Sequence, residues 1–81
     1  MQQIFDKLGQ PDRIEAYNSH RWHIGEYLLC IMPRETSTGT WYLFNFFENG
    51  KSVGGGQTDS LDFMMEAIEN QLRHIERSAE K

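Results

Sequence analysis

One cysteine, Cys30, is all the sequence offers for cross-linking, so no disulfide can form within the chain. That excludes a bridge-stapled secreted scaffold and suits a reducing compartment. Long hydrophobic runs are missing too: none approaches the ~20 apolar residues of a transmembrane helix. Met1-Gln2-Gln3 has neither the basic start nor the apolar run of a signal peptide, and a cytoplasmic location is expected. Positive charge is scarce: 8 Lys and Arg stand against 12 Asp and Glu, a net charge of −4. This balance disfavours non-specific nucleic-acid binding and favours a neutral or basic partner. Repeats, low-complexity segments and linkers are absent, and 81 residues make a single domain, 1–81. A domain of this size buries roughly 60% of its unfolded surface, enough for one thin core.

What the sequence has is aromatic residues, concentrated in Trp41–Val53, WYLFNFFENGKSV. This stretch reads as a long strand, a tight turn at Asn49-Gly50 and the start of a return strand. Asn-Gly is the preferred pair for a two-residue type I′ turn, because both central residues need a positive φ. The turn sets Glu48 opposite Lys51, an opposite-charge cross-strand pair. Continued without a break, the register sets Phe46 opposite Val53 and Phe44 opposite Gly55. Alternation sends Tyr42, Phe44 and Phe46 to one face and Trp41, Leu43 and Phe47 to the other, with Asn45 among the latter. Both faces are apolar, so the strand is either covered twice or covered once and sticky on the other side.

Ahead of it, Met1–Leu8 reads as a short helix with Ile4, Phe5 and Leu8 on one side. Gly9 ends it and Pro11 forbids continuation. Asp12–Tyr17 reads as a short strand, Asn18-Ser19-His20 as a turn, and Trp22–Met32 as one strand region with a bulge at Gly25. Pro33–Thr40 is expected to be a polar loop, and Gly54-Gly55-Gly56 to break the sheet. From Asp59 onward the spacing predicts a helix. Leu61, Met65, Ile68, Leu72, Ile75 and Ala79 form its apolar stripe, and Thr58 or Asp59 caps it. Acidic residues (Asp59, Asp62, Glu66, Glu69) fill its first half and Arg73, Arg77 and Lys81 its last turns, in line with the helix dipole.

No motif in this pattern carries chemistry. Val53-Gly54-Gly55-Gly56 has the look of a phosphate loop, but Asp59, Asp62 and Glu66 sit where an anion would bind. Gly50-Lys51-Ser52 echoes the end of a nucleotide-binding motif, yet Asn45 stands where its first glycine belongs. His20 and His23 are read as exposed turn histidines, since no Cys, Asp or His completes a metal set. Cys30, within LLCIM, is read as a core thiol rather than a nucleophile. The aromatic strand contains no basic residue, as a base-stacking platform would. A non-catalytic protein without cofactor or metal is expected.

The run Asn49-Gly50-Lys51-Ser52-Val53-Gly54, then Asp59-Ser60, then a closing acidic helix with Ile68-Glu69-Asn70 and Glu76-Arg77, resembles the C-terminal part of a phage anti-CRISPR protein of the type I-F class. The likeness covers about a third of the chain. It implies a small inhibitor that binds a nucleic-acid-handling complex of the host. Separately, Leu8-Gly9-Gln10-Pro11-Asp12, then Trp22, then Phe46-Phe47 before a hairpin is similar to small envelope-assembly lipoproteins and β-lactamase-inhibitor-like domains. That likeness implies a helix leading into an antiparallel meander.

The residues and the resemblances together predict an α+β domain. Its antiparallel sheet has three or four strands, a C-terminal helix packs on one face, and a short helix precedes the sheet. The expected function is a protein-binding inhibitor or regulator. Asp62, Glu66 and Glu69 would meet a basic protein surface or nucleoprotein complex, and Trp41 and Tyr42 would anchor it. No direct nucleic-acid or membrane contact is expected. The alternative is a small accessory subunit that self-associates, and the sequence admits monomer or homodimer.

Overall fold

A computed structural model describes residues 2–79, with side chains through residue 75. Helix α1 (Gln2–Leu8) leads into five strands: β1 (Arg13–Glu15), β2 (Ser19–Ile24), β3 (Tyr27–Thr36), β4 (Gly39–Glu48) and β5 (Lys51–Thr58). Helix α2 (Leu61–Ala79) closes the chain. The strands form one antiparallel meander in the order β1-β2-β3-β4-β5. The α+β class is as expected, but the sheet has five strands rather than three or four.

The extra strand comes from Trp22–Met32, which is a hairpin and not one bulged strand. Ile24 pairs with Tyr27, leaving Gly25-Glu26 as a two-residue turn. Gly25 supplies the positive φ of 62° at the first turn position, the arrangement of a type II′ turn. The expected loop 33–40 is shorter than read. β3 runs to Thr36 and β4 starts at Gly39, so only Ser37-Thr38 turns the chain. Thr36 Oγ1 closes that turn by donating to the Gly39 carbonyl at 2.7 Å. Pro33 is tolerated because β2 pairing stops at Ile31, leaving Pro33 with no β2 partner.

At Asn49-Gly50 both residues take positive φ, 52° and 84°, and Glu48 opposes Lys51 as anticipated. Beyond that the register slips. A bulge at Val53 sets Phe46 opposite Gly54 and Phe44 opposite Gly56. The three glycines do not break the sheet; they are the middle of β5. Gly55 must be glycine, because a Cβ there would lie 2.4 Å from the Phe44 carbonyl oxygen.

The bulge decides which β5 residues fall on the covered face. Gly54 and Gly56 share the face of Phe44 and Phe46, so β5 presents almost no side chain there and α2 can lie close. Gln71 of α2 comes within ordinary contact of the space a Gly54 Cβ would fill, at 3.6 Å. Met64 and Ile68 of α2 and Ile4 of α1 bury against Trp22, Leu29, Ile31, Phe44 and Phe46, and these residues are the core. Leu61, Met65, Leu72 and Ile75 flank that cluster. The sequence stripe omitted Met64, which is fully buried. Ala79, Arg77 and Lys81 lie outside the described side chains. The helix cap is Ser60, not Thr58 or Asp59: its Oγ accepts from the Phe63 N–H at 3.1 Å.

Helix α1 seals the β2 end of the same face. Phe5 packs near Trp22 and His20, with ring centroids 6.4 and 5.9 Å away. Trp22 Nε1 donates to the Gly9 carbonyl at 3.1 Å. His20 is therefore a buried strand residue and not an exposed turn histidine, and its Nδ1 lies 2.7 Å from the Asn18 carbonyl oxygen. His23 is exposed, as read. The Asp12 carboxylate accepts from the His23 backbone N–H at 2.7 Å, which holds its pKa below the usual value.

Candidate functional site

Both helices lie on one side of the sheet, so the other side has no covering layer among the described residues. Alternation along each strand determines what it presents. β3 contributes Leu28, Cys30, Met32 and Arg34, and β4 contributes Trp41, Leu43, Asn45 and Phe47. The register aligns Leu28 with Phe47, Cys30 with Asn45, Met32 with Leu43 and Arg34 with Trp41. Arg21 from β2 extends the Cys30–Asn45 row, and Gln57 from β5 extends the Met32–Leu43 row. The face is thus an apolar band two strands wide, polar along its flanks.

The band is concave at its centre. A depression of about 470 Å³ lies among Arg21, Cys30, Met32, Leu43, Phe47 and Gln57. Asn45 is its polar floor, and the Asn45 Oδ1 accepts from Ser52 Oγ at 2.6 Å. Arg21 is half-buried at the edge, and its Nε is shielded from solvent without a hydrogen-bond acceptor. A buried donor left unpaired costs on the order of 1–3 kcal/mol. Among the described residues neither Arg21 nor Arg34 has an ion-pair partner, whereas Arg13 lies 3.4 Å from Glu15.

Cys30 does not belong to the core. It is half-buried on this open face, between Arg21 and Asn45, while its neighbours Leu29 and Ile31 point to the helices. Burial pushes its thiol pKa up, Arg21 partly offsets that, and Glu15 adds to it. The protonated thiol behaves here as a small apolar side chain.

The site residues expected from sequence divide between two surfaces. Trp41 lies on the open face, half-buried beside Arg34 and Leu43. Tyr42 points the other way and packs against the core beneath the helices. Asp62 and Glu66 are exposed on α2. Glu69 is turned toward α1 and paired with Lys7. The acidic helix and Trp41 are on opposite sides of the sheet, so one flat contact cannot engage both. Leu28, Met32, Leu43, Phe47, Arg21 and Arg34 were not singled out from sequence. The signal was present in the apolar alternation of β3 and β4, but nothing in it said which face the helices would take.

Among the described residues no group of three His, Cys, Asp or Glu side chains is placed to hold a metal ion. No described helix is long and apolar enough to cross a membrane. No protein-family model, curated protein or solved structure matches the chain.

Proposed function

We propose that this protein is a non-catalytic protein-binding inhibitor or regulator that docks through the open face of its sheet. The observation that carries this reading is the half-buried apolar set Leu28, Met32, Leu43 and Phe47 on the side of the sheet that neither described helix covers. Contiguous exposed apolar patches rimmed by polar residues mark interaction sites. Trp41 and Phe47 supply aromatic anchors of the kind that dominate binding energy. They lie six positions apart on one strand, about 20 Å, too far to stack neighbouring bases. That spacing supports a protein partner over single-stranded nucleic acid.

A second reading places a basic partner surface on α2, and it rests on the exposure of Asp62 and Glu66. Affinity capture from the source cell separates the two. Leu43→Asp should remove the captured partner and Glu66→Lys should retain it, with folding checked by circular dichroism. The reverse pattern would move the site to α2. Light scattering addresses the self-associating alternative: a tight dimer that Leu43→Asp dissolves would favour an accessory subunit. The anti-CRISPR-like extension, occlusion of a host nucleic-acid-handling complex, has its own test. Expressing the protein in a host with type I-F interference should restore plating of a targeted phage, and unchanged plating would refute that extension.

A further inference from the structure

We infer that the open sheet face is built to receive one amphipathic α-helix of another protein, with carboxylates along one flank of that helix meeting Arg21 and Arg34. The inference rests on the docking reading above and names the occupant of the same face.

Shape, charge and spacing carry it. A sheet face buries against either a helix or a second sheet. Here the centre of the band is hollowed by the depression between Met32, Leu43 and Phe47. A helix, a convex cylinder roughly 10 Å across, fills such a hollow, and a second flat sheet does not. The other face of the same sheet already takes α2 on Phe44 and Phe46. A second copy of this chain fits poorly, since two concave centres would face each other.

Charge fixes the flank. The protein is acidic as a whole, at −4, and Glu15 and Glu26 also border this face, yet Arg21 and Arg34 have no ion pair among the described residues. Among the described residues the Arg21 Nε has no acceptor. A carboxylate brought to the outer edge of either guanidinium meets it in charge-assisted geometry. Arg21 opposes Cys30 on β3, and Arg34 follows four positions further along β3. Their backbones are therefore about 14 Å apart along the strand direction. That distance corresponds to two to three turns of helix, so the two carboxylates belong on one flank of the incoming helix, beside its apolar stripe.

The test uses the full chain and stapled helical peptides of about 18 residues, long enough to span the band. They share one leucine–phenylalanine stripe and carry glutamate, glutamine or lysine along one flank. Amide and guanidinium NMR shifts are followed during titration, with a short single-stranded RNA and a protein dilution series as further arms. The glutamate peptide should saturate, with shifts centred on Cys30, Leu43, Phe47 and the Arg21 Nε–H. It should bind about tenfold tighter than the glutamine peptide. That advantage should vanish in Arg21→Gln/Arg34→Gln, and shrink in Arg34→Gln alone if the double variant folds poorly. Equal or better binding of the lysine peptide or the RNA at this face would overturn the acidic-helix assignment while leaving a docking face in place. Concentration-dependent shifts on the same residues without peptide would overturn it in favour of a second copy. A face that no probe and no dilution perturbs would overturn both this inference and the docking reading beneath it.

Discussion

Tyr17 sits at the tip of the β1–β2 connection with φ of 63°, and it is 81% exposed. A bulky side chain in the left-handed region is strained, and here it packs against little that would compensate. Tyr17→Gly is expected to raise the unfolding free energy, read from urea curves, by about 1 kcal/mol. A lower midpoint would mean the ring makes a contact worth more than the strain. Gly55 is the opposite case. Gly55→Ala forces a Cβ into the backbone of β4, and nothing flexible is there to yield. It should cost about 1–3 kcal/mol as an overpacking change, read from the same denaturant curves. Asp12 gives a pH dependence. Its carboxyl pKa is lowered from 3.8, chiefly by the His23 backbone N–H. The group therefore contributes stability above that ordinary value, and the contribution is lost as pH falls through the lower folded-state value. Wild type should exceed Asp12→Asn in melting temperature at neutral pH, and the gap should close under strongly acidic conditions. A gap that persists unchanged would show that the carboxylate is not the source.

At the scale of elements, α2 holds the fold through Met64 and Ile68. Either residue cut to Ala should cost roughly 2–5 kcal/mol, since both are fully buried. Ser60→Ala should cost about 0.5–2 kcal/mol through loss of the cap, while Asp59→Ala should cost less. The sequence was most legible where local chemistry acts alone. Asn49-Gly50 announced its turn, Gly9 its helix end, and the periodicity of α2 its amphipathic face. It was least legible where a neighbouring element decides. Gly25-Glu26 is a weaker turn signal than Asn-Gly, and the apolar residues on both sides of it looked like one strand. Gly54-Gly55-Gly56 resembled a break because what requires a glycine at position 55, the Phe44 backbone of β4, is remote in sequence. Ser60 was passed over as a cap because Thr58 and Asp59, just before it, are also good caps.

For the whole molecule, one residue of register governs the account. Without the bulge at Val53, Gly55 would share the face of Phe44, and Gly54 and Gly56 would share that of Leu43. The bulge reverses this parity and gives the smooth side of β5 to α2. The face of Leu28, Met32, Leu43 and Phe47 is then left open. Trp41 was legible as a candidate because it belongs to the aromatic strand. Its neighbour Tyr42 was not separable from it until the helices had a side, since both faces of β4 are apolar. Asp62 and Glu66 were legible as exposed, but not as remote from Trp41. The proposed docking places partners on the open sheet face rather than on α2. The most direct measurement is site-specific photo-crosslinking in the source cell, with a photoreactive residue in place of Leu43 or, in a separate protein, of Glu66. Docking on the open face should give a discrete adduct from position 43 that excess unlabelled protein competes away, and none from position 66. Adducts from 66 alone would contradict it.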